Sequence, residues 1–97
     1  MIKSLKTFIP NTSFYGNYVT ASLNDMKRLF GDPRKDIEDK TQYEWALEVN
    51  NIPCYVYDWK QGKTILADDI INWHIGVKSK KDGEIISKIL NNIIRNG

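Results

Sequence analysis

The sequence predicts an α+β domain, an antiparallel sheet of about four strands with two helices packed on one face. Three observations carry that expectation. Residues 42–59 alternate apolar and polar positions on either side of an Asn-Asn turn signal. Two stretches, 23–30 and 82–94, repeat apolar residues at helical spacing. Strand-like segments lie between and around them, which gives the order β-α-β-β-β-α and a two-layer solution. At 97 residues the chain has the length of a single domain, 1–97.

Residues 1–13 read as an N-terminal arm or a short strand that ends near Pro10-Asn11. Tyr15 to Ala21 is rich in aromatic and β-branched residues and reads as a strand. Ser22 is a helix N-cap and Asp25 completes a capping box. Leu23, Met26, Leu29 and Phe30 then repeat at helical spacing, and Gly31-Asp32-Pro33 stops the helix. Arg34 to Lys40 is charged and reads as a loop. Gln42 to Val49 is a half-buried strand, Asn50-Asn51 a turn, and Ile52 to Trp59 the returning strand. Thr64 to Ile71 fits a short strand, a helical turn or a loop, and Asn72 to Val77 reads as a further strand. Asp82 caps a final helix over 82–95, whose stripe is Ile85, Ile86, Ile89, Leu90, Ile93 and Ile94.

Composition narrows the chemistry. The balance of 14 Lys and Arg against 12 Asp and Glu is too even to argue for nucleic acid on charge alone. The lysines of 78–81 and the acidic group Asp36, Glu38 and Asp39 read as solvated loops. The single cysteine, Cys54, forbids an internal disulfide and suits a cytoplasmic protein. There is no apolar run long enough to span a bilayer, and the N-terminal residues lack the apolar core of a signal peptide, so no membrane is expected. One His and one Cys are too few for a structural zinc site, and no glycine-rich phosphate loop is present, so neither a metal nor a cofactor is expected.

The central hairpin separates two faces. A two-residue loop sets Val49 opposite Ile52, and a four-residue loop sets it opposite Cys54. Both registers keep the same residues on the same side, because the side-chain period is two. Trp45, Leu47, Val49, Cys54 and Val56 form one apolar face, expected under the helices. Glu44, Ala46, Glu48, Tyr55, Tyr57 and Trp59 form the other, and with Trp73 turned inward Asn72 and His74 join it. Rings with polar tips suit a contact surface. Tyr55, Tyr57, Trp59, Lys60, His74 and Glu44 are therefore the candidate binding residues, with rings to stack on bases and lysine to pair with phosphate. The same residue types also stabilise sheets by cross-strand pairing, and the arm could cover this face. No catalytic residue is expected. His74 is the one candidate acid or base, and no nucleophile accompanies it in sequence.

Asn17-Tyr18-Val19, the run Leu29-Phe30-Gly31-Asp32-Pro33, then Tyr43-Glu44-Trp45, Tyr55-Val56-Tyr57-Asp58-Trp59-Lys60 and Trp73-His74-Ile75-Gly76 together make an "EW … YDWK … WHIG" pattern after an "LFG-P" helix end. The pattern spans about two-thirds of the chain and resembles a family of small phage- and virus-encoded proteins, whose pattern continues with a second glycine where this chain has Val77. The resemblance implies a viral counter-defence protein working by stoichiometric binding in the host cytoplasm. Its partner would be a nucleotide signalling molecule of host immunity or, in an anti-CRISPR-like mode, a host defence protein. A second copy of the chain is a further partner that an aromatic sheet face could take.

Overall fold

The computed structural model describes residues 2–38 and 41–97, and for 35–38 the backbone alone. Among the described residues the elements are β1 (Ile2–Ser4), β2 (Ser13–Ser22), α1 (Leu23–Phe30), β3 (Arg34–Glu38), β4 (Thr41–Val49), β5 (Ile52–Tyr57), β6 (Ile70–Val77) and α2 (Lys80–Asn96). The strands form one antiparallel sheet in the order β1-β4-β5-β6-β2, with β3 also pairing to β4. The class is α+β as expected, and the β-α-β-β-β-α series survives as β2-α1-β4-β5-β6-α2 with β1 and β3 added.

The hairpin between β4 and β5 takes the two-residue register, with Val49 opposite Ile52, Leu47 opposite Cys54 and Trp45 opposite Val56. Asn50 and Asn51 both have positive φ, 49° and 70°, as a tight hairpin turn of matching twist requires. The inward residues of four strands then meet both helices. Val19, Ala21, Trp45, Leu47, Val49, Cys54, Val56, Trp73, Ile75 and Val77 pack with Leu23, Met26 and Phe30 of α1 and Ile86 and Leu90 of α2. Trp45 and Trp73 meet edge to face at 5.3 Å. Each indole N–H reaches a backbone carbonyl, Trp45 to Gly31 at 2.9 Å and Trp73 to Ala21 at 3.0 Å. Two large polar-tipped rings are thus buried without an orphaned donor.

Three expectations are corrected, and one left open is settled. The segment 34–40, read as a loop for its charge, carries β3 over Arg34–Glu38; pairing with the edge of β4 overrides its composition. Its last two residues, and the side chains of Asp36, Glu38 and Asp39, lie outside the described set. The returning strand ends at Tyr57, so Trp59 stands beyond it. The N-cap of α2 is Ser79, whose Oγ accepts from the Asp82 N–H at 3.2 Å, so the lysine-rich stretch opens the helix instead of forming a loop. Asp82 sits in the first turn, where its charge offsets the two lysines against the helix dipole. Of the stretch 64–71, residues 64–69 are a loop that anchors on buried Ile65 and turns at 67–68, and the last two residues already belong to β6.

Strand order also fixes the arm. β1 and β2 are consecutive in the chain but lie at opposite edges of the sheet. Four inter-strand spacings are roughly 19 Å, and the nine steps from Ser4 to Ser13 reach at most about 30 Å. The connection is therefore a nearly taut strap, and it crosses the face opposite the helices. The Leu5 N–H donates to the Ala46 carbonyl at 2.8 Å and the Ile9 N–H to the Tyr55 hydroxyl at 2.8 Å. Ile9 and Ala46 are buried, yet both are outside the main core cluster, because they pack on each other's side of the sheet under the strap.

The free edge of β2 is covered from the other layer. Ser87 Oγ and Asn91 Nδ2 of α2 both donate to the Tyr18 carbonyl, at 2.8 and 2.9 Å, and Asn91 Oδ1 accepts from the Thr20 N–H at 3.0 Å. An edge strand that would otherwise invite another chain is thereby occupied by helix side chains.

Candidate functional site

Register places one row of outward side chains across the sheet: Glu44 on β4, Tyr57 on β5, His74 on β6 and Tyr18 on β2. The next row is Ala46, Tyr55, Gly76 and Phe14. A bulge in β2 tightens the cluster. Phe14 and Tyr18 are four residues apart, whereas their partners Gly76 and His74 are two apart, so Tyr15, Gly16 and Asn17 leave the ladder. Gly16 takes φ 94°, which a side chain would resist. Both flanking rings then reach the imidazole, Phe14 at 4.3 Å and Tyr18 at 5.1 Å, while Tyr57 lies on it from the other side at 5.6 Å.

Between the strap and the β3-β4-β5 part of this face lies a cleft of about 390 Å³. The strap supplies Phe8 and Thr12, β3 supplies Arg34, and β4 supplies Thr41 and Glu44. Tyr55 and Tyr57 of β5 and Trp59 beyond it form the aromatic wall. Its volume is in the range of small-molecule sites, and its lining is half aromatic rings and half polar or charged side chains. Phe8 is 80% exposed at the rim, on a strap pinned on either side of it by the Leu5 and Ile9 hydrogen bonds. Arg34 Nη1 meets Glu44 Oε1 at 3.3 Å, with the arginine largely exposed and the carboxylate mostly sheltered.

The aromatic wall is braced from beneath. Asp58 is fully buried, and its carboxylate accepts the backbone N–H of Gln42 at 2.9 and 3.1 Å and of Tyr43 at 2.7 Å. The Gln42 side chain in turn donates to the Lys63 carbonyl at 2.7 Å and accepts from the Ile65 N–H at 3.0 Å. Together they tie the loop after Trp59 to the start of β4, so Trp59 holds its place 6.3 Å from Tyr57 although the strand has ended.

The sequence-derived set is thus split. Tyr55, Tyr57, Trp59 and Glu44 come together around the cleft. Lys60 lies outside it, with Nζ 5.8 Å from the centre of the Trp59 ring. His74 also lies outside, packed between Phe14 and Tyr57 rather than presented to a ligand. Burial holds its pKa below the ordinary histidine value, opposed by the Asn72 backbone and the Asp58 charge, and its Nδ1 has no hydrogen-bond partner. Phe8, Thr12, Arg34 and Thr41 were not in that set. The strap residues could not be placed before strand order was known, and the segment of Arg34 had been read as a loop. Val77 is fully buried against α2, on the helix side of the sheet.

Elsewhere, Cys54 is fully buried in the core, which pushes its thiol up to about 12, as for inert packing. A wider groove of about 780 Å³ runs along α2 past Asn17, Ser87 and Asn91. Ser87 and Asn91 there are engaged by the β2 backbone while Asn17 Oδ1 is buried without a partner, and the lining holds no aromatic ring, so the strap cleft is the stronger candidate for a stacking ligand. Among the described residues no group of three or more His, Cys, Asp or Glu could hold a metal, and no helix is long and apolar enough to cross a membrane. Comparison of the chain with protein-family models, curated proteins and solved structures finds no match.

Proposed function

We propose that this protein is a viral counter-defence factor that sequesters a nucleotide immune signal in the host cytoplasm by stoichiometric binding in the strap cleft. The observation that supports the reading is Phe8, a ring held in solvent at the rim of a cavity already walled by Tyr55, Tyr57 and Trp59. A base sliding between Phe8 and that wall buries rings on both of its faces, and stacking of this kind contributes about 1–3 kcal/mol per base. Lys60 stands at the margin over the Trp59 ring, where a phosphate would lie. The resemblance to small phage and virus proteins supplies the setting.

A panel of immune nucleotides tests this by thermal shift, followed by heat release and analysis of the ligand. A ligand at a hundred times its Kd stabilises by about 2.7 kcal/mol, which raises the Tm of a domain this size by about 10 °C or more. The nucleotide should be returned unchanged. Return of a cleaved nucleotide would instead mark an enzyme, and no shift at millimolar ligand would remove the reading.

A second observation favours the other partner. Phe14, Tyr15 and Tyr18 are 37%, 42% and 39% exposed, on the far side of His74 from the cleft. An anti-CRISPR-like inhibitor would use such a patch as a protein hot spot. It would ignore nucleotides, bind a host defence protein or nuclease complex, and lose that binding on Tyr18→Ala.

A further inference from the structure

The cleft has a polar pattern as well as an aromatic wall, and the pattern is directional. Glu44 offers a carboxylate, which only accepts hydrogen bonds. Arg34 offers a guanidinium, which only donates. The two are adjacent at 3.3 Å, on neighbouring strands paired Arg34 to Glu44. A ligand edge that complements them must carry donors beside an acceptor, with the donors on the Glu44 side.

The nucleobases differ sharply in this respect. Adenine presents one amino donor beside the lone pair of N1, and cytosine one amino donor beside the lone pair of N3. Set against a carboxylate, each gains one bond and meets one repulsion. Uracil has a single N–H between two carbonyl oxygens, which a carboxylate repels on both sides. Guanine alone carries two adjacent donors, N1–H and the 2-amino group, with the O6 acceptor next to them. Its edge reads acceptor, donor, donor, and the Arg34–Glu44 pair reads donor, acceptor, acceptor.

Resting on the sequestration reading, we propose that the cleft selects a guanine nucleotide, with Glu44 as the specificity-determining residue and Arg34 contacting O6. The base lies between Phe8 and the Tyr57–Trp59 wall, its Watson–Crick edge toward Glu44. Arg34 also orients the carboxylate before the ligand arrives, which limits the ordering cost of binding. A bidentate base contact of this type discriminates by about 1–3 kcal/mol, roughly ten- to a hundredfold.

The test is calorimetric titration of the whole chain with matched guanosine, inosine and adenosine nucleotides, as monophosphates and as cyclic dinucleotides. The guanosine form should bind about ten- to a hundredfold more tightly than the adenosine form. Inosine, which keeps N1–H and O6 but lacks the 2-amino group, should fall between them. Glu44→Gln, a substitution of equal size, should bring guanosine and adenosine to within about threefold, and Tm is measured beside it because the variant also loses the ion pair with Arg34. The inosine arm uses the natural chain, so it decides the matter even if the variant misfolds. Equal binding of guanosine and adenosine, or a guanosine preference that survives Glu44→Gln, would overturn guanine selection and leave sequestration standing. Absence of any nucleotide binding would overturn both.

Discussion

The two faces of the sheet are made by the same strands, yet they end in different states. On the helix side, Val56, Trp73, Ile75 and Val77 are fully buried. On the other side, their immediate neighbours Tyr55, Tyr57 and His74 are half-buried, and Phe14 is exposed. Hydrophobicity alone does not divide them, since the outer side is as aromatic as the inner one. What divides them is the cover. Two helices seal one face with Met26, Phe30, Ile86 and Leu90, while a single strap eight residues long covers part of the other. A face sealed by helices is committed to stability, and a face crossed by a strap keeps rings available for contact.

Trp73→Ala should break the helix side most severely. The ring is fully buried, packs edge-on to Trp45 and donates to the Ala21 carbonyl. Truncation of such a residue costs about 3–5 kcal/mol, a large part of the stability of a small domain. Urea denaturation should show the midpoint fall accordingly, and a midpoint within experimental error of the natural chain would contradict the packing described. Asp58→Ala comes next. It leaves the Gln42 and Tyr43 N–H groups without their carboxylate acceptor, at about 1–3 kcal/mol for each buried donor. Because Asp58 braces the loop beyond Trp59, the same variant should bind ligand more weakly, whereas Trp73→Ala should affect binding only through unfolding.

The parity of the central hairpin was legible because Tyr43, Trp45, Leu47 and Val49 alternate so strictly that every even-length loop gives the same faces. Both helices were legible from their stripes, and Ser22 as N-cap from its chemistry, its Oγ accepting from the Asp25 N–H at 3.0 Å. Three things were not. Residues 1–13 read as an arm or a short strand, and they hold both, but the pairing of Ile2–Ser4 with 47–49 has no local signal. The path of the strap follows from that pairing, so Phe8 could not be set beside Tyr57 from sequence. β3 is charged because it is an edge strand, and a charged edge looks like a loop until its partner is known. Half of the candidate site was therefore readable, the part carried by the central hairpin and the residues that continue it. The rest depends on pairings that no local pattern marks, Ile9 with Tyr55 across the sheet and Arg34 with Glu44 at its edge.

Phe8→Ala sharpens the contrast from the outer side. The ring is 80% exposed, so its loss should change stability by less than about 0.5 kcal/mol. Ligand affinity should nevertheless fall about tenfold or more, the equivalent of one lost stacking partner. Paired measurements of Tm and Kd separate the two quantities. Matched losses in both would mean that Phe8 supports the fold, and an unchanged Kd would remove it from the site.

The smallest effect comes from the residue that sits on the open face but is neither sealed nor free. His74 lies among Phe14, Tyr18 and Tyr57, and burial lowers its pKa from the ordinary 6.5. The folded ring therefore binds a proton less readily than the unfolded one. Where the unfolded state holds more protons, stability rises with pH, so the contribution of His74 is complete above 6.5 and declines as pH falls through the interval below it. It stops declining once the folded ring is protonated as well. His74→Phe keeps a flat ring against its three neighbours and cannot titrate. The difference between the Tm–pH curves of the natural chain and this variant should be flat above pH 7 and should move against the natural chain below about 6.5. A constant difference across that range would mean that the imidazole is as wet in the folded protein as in the unfolded chain. The ring column that links the cleft to the Phe14–Tyr18 patch would then be looser than described.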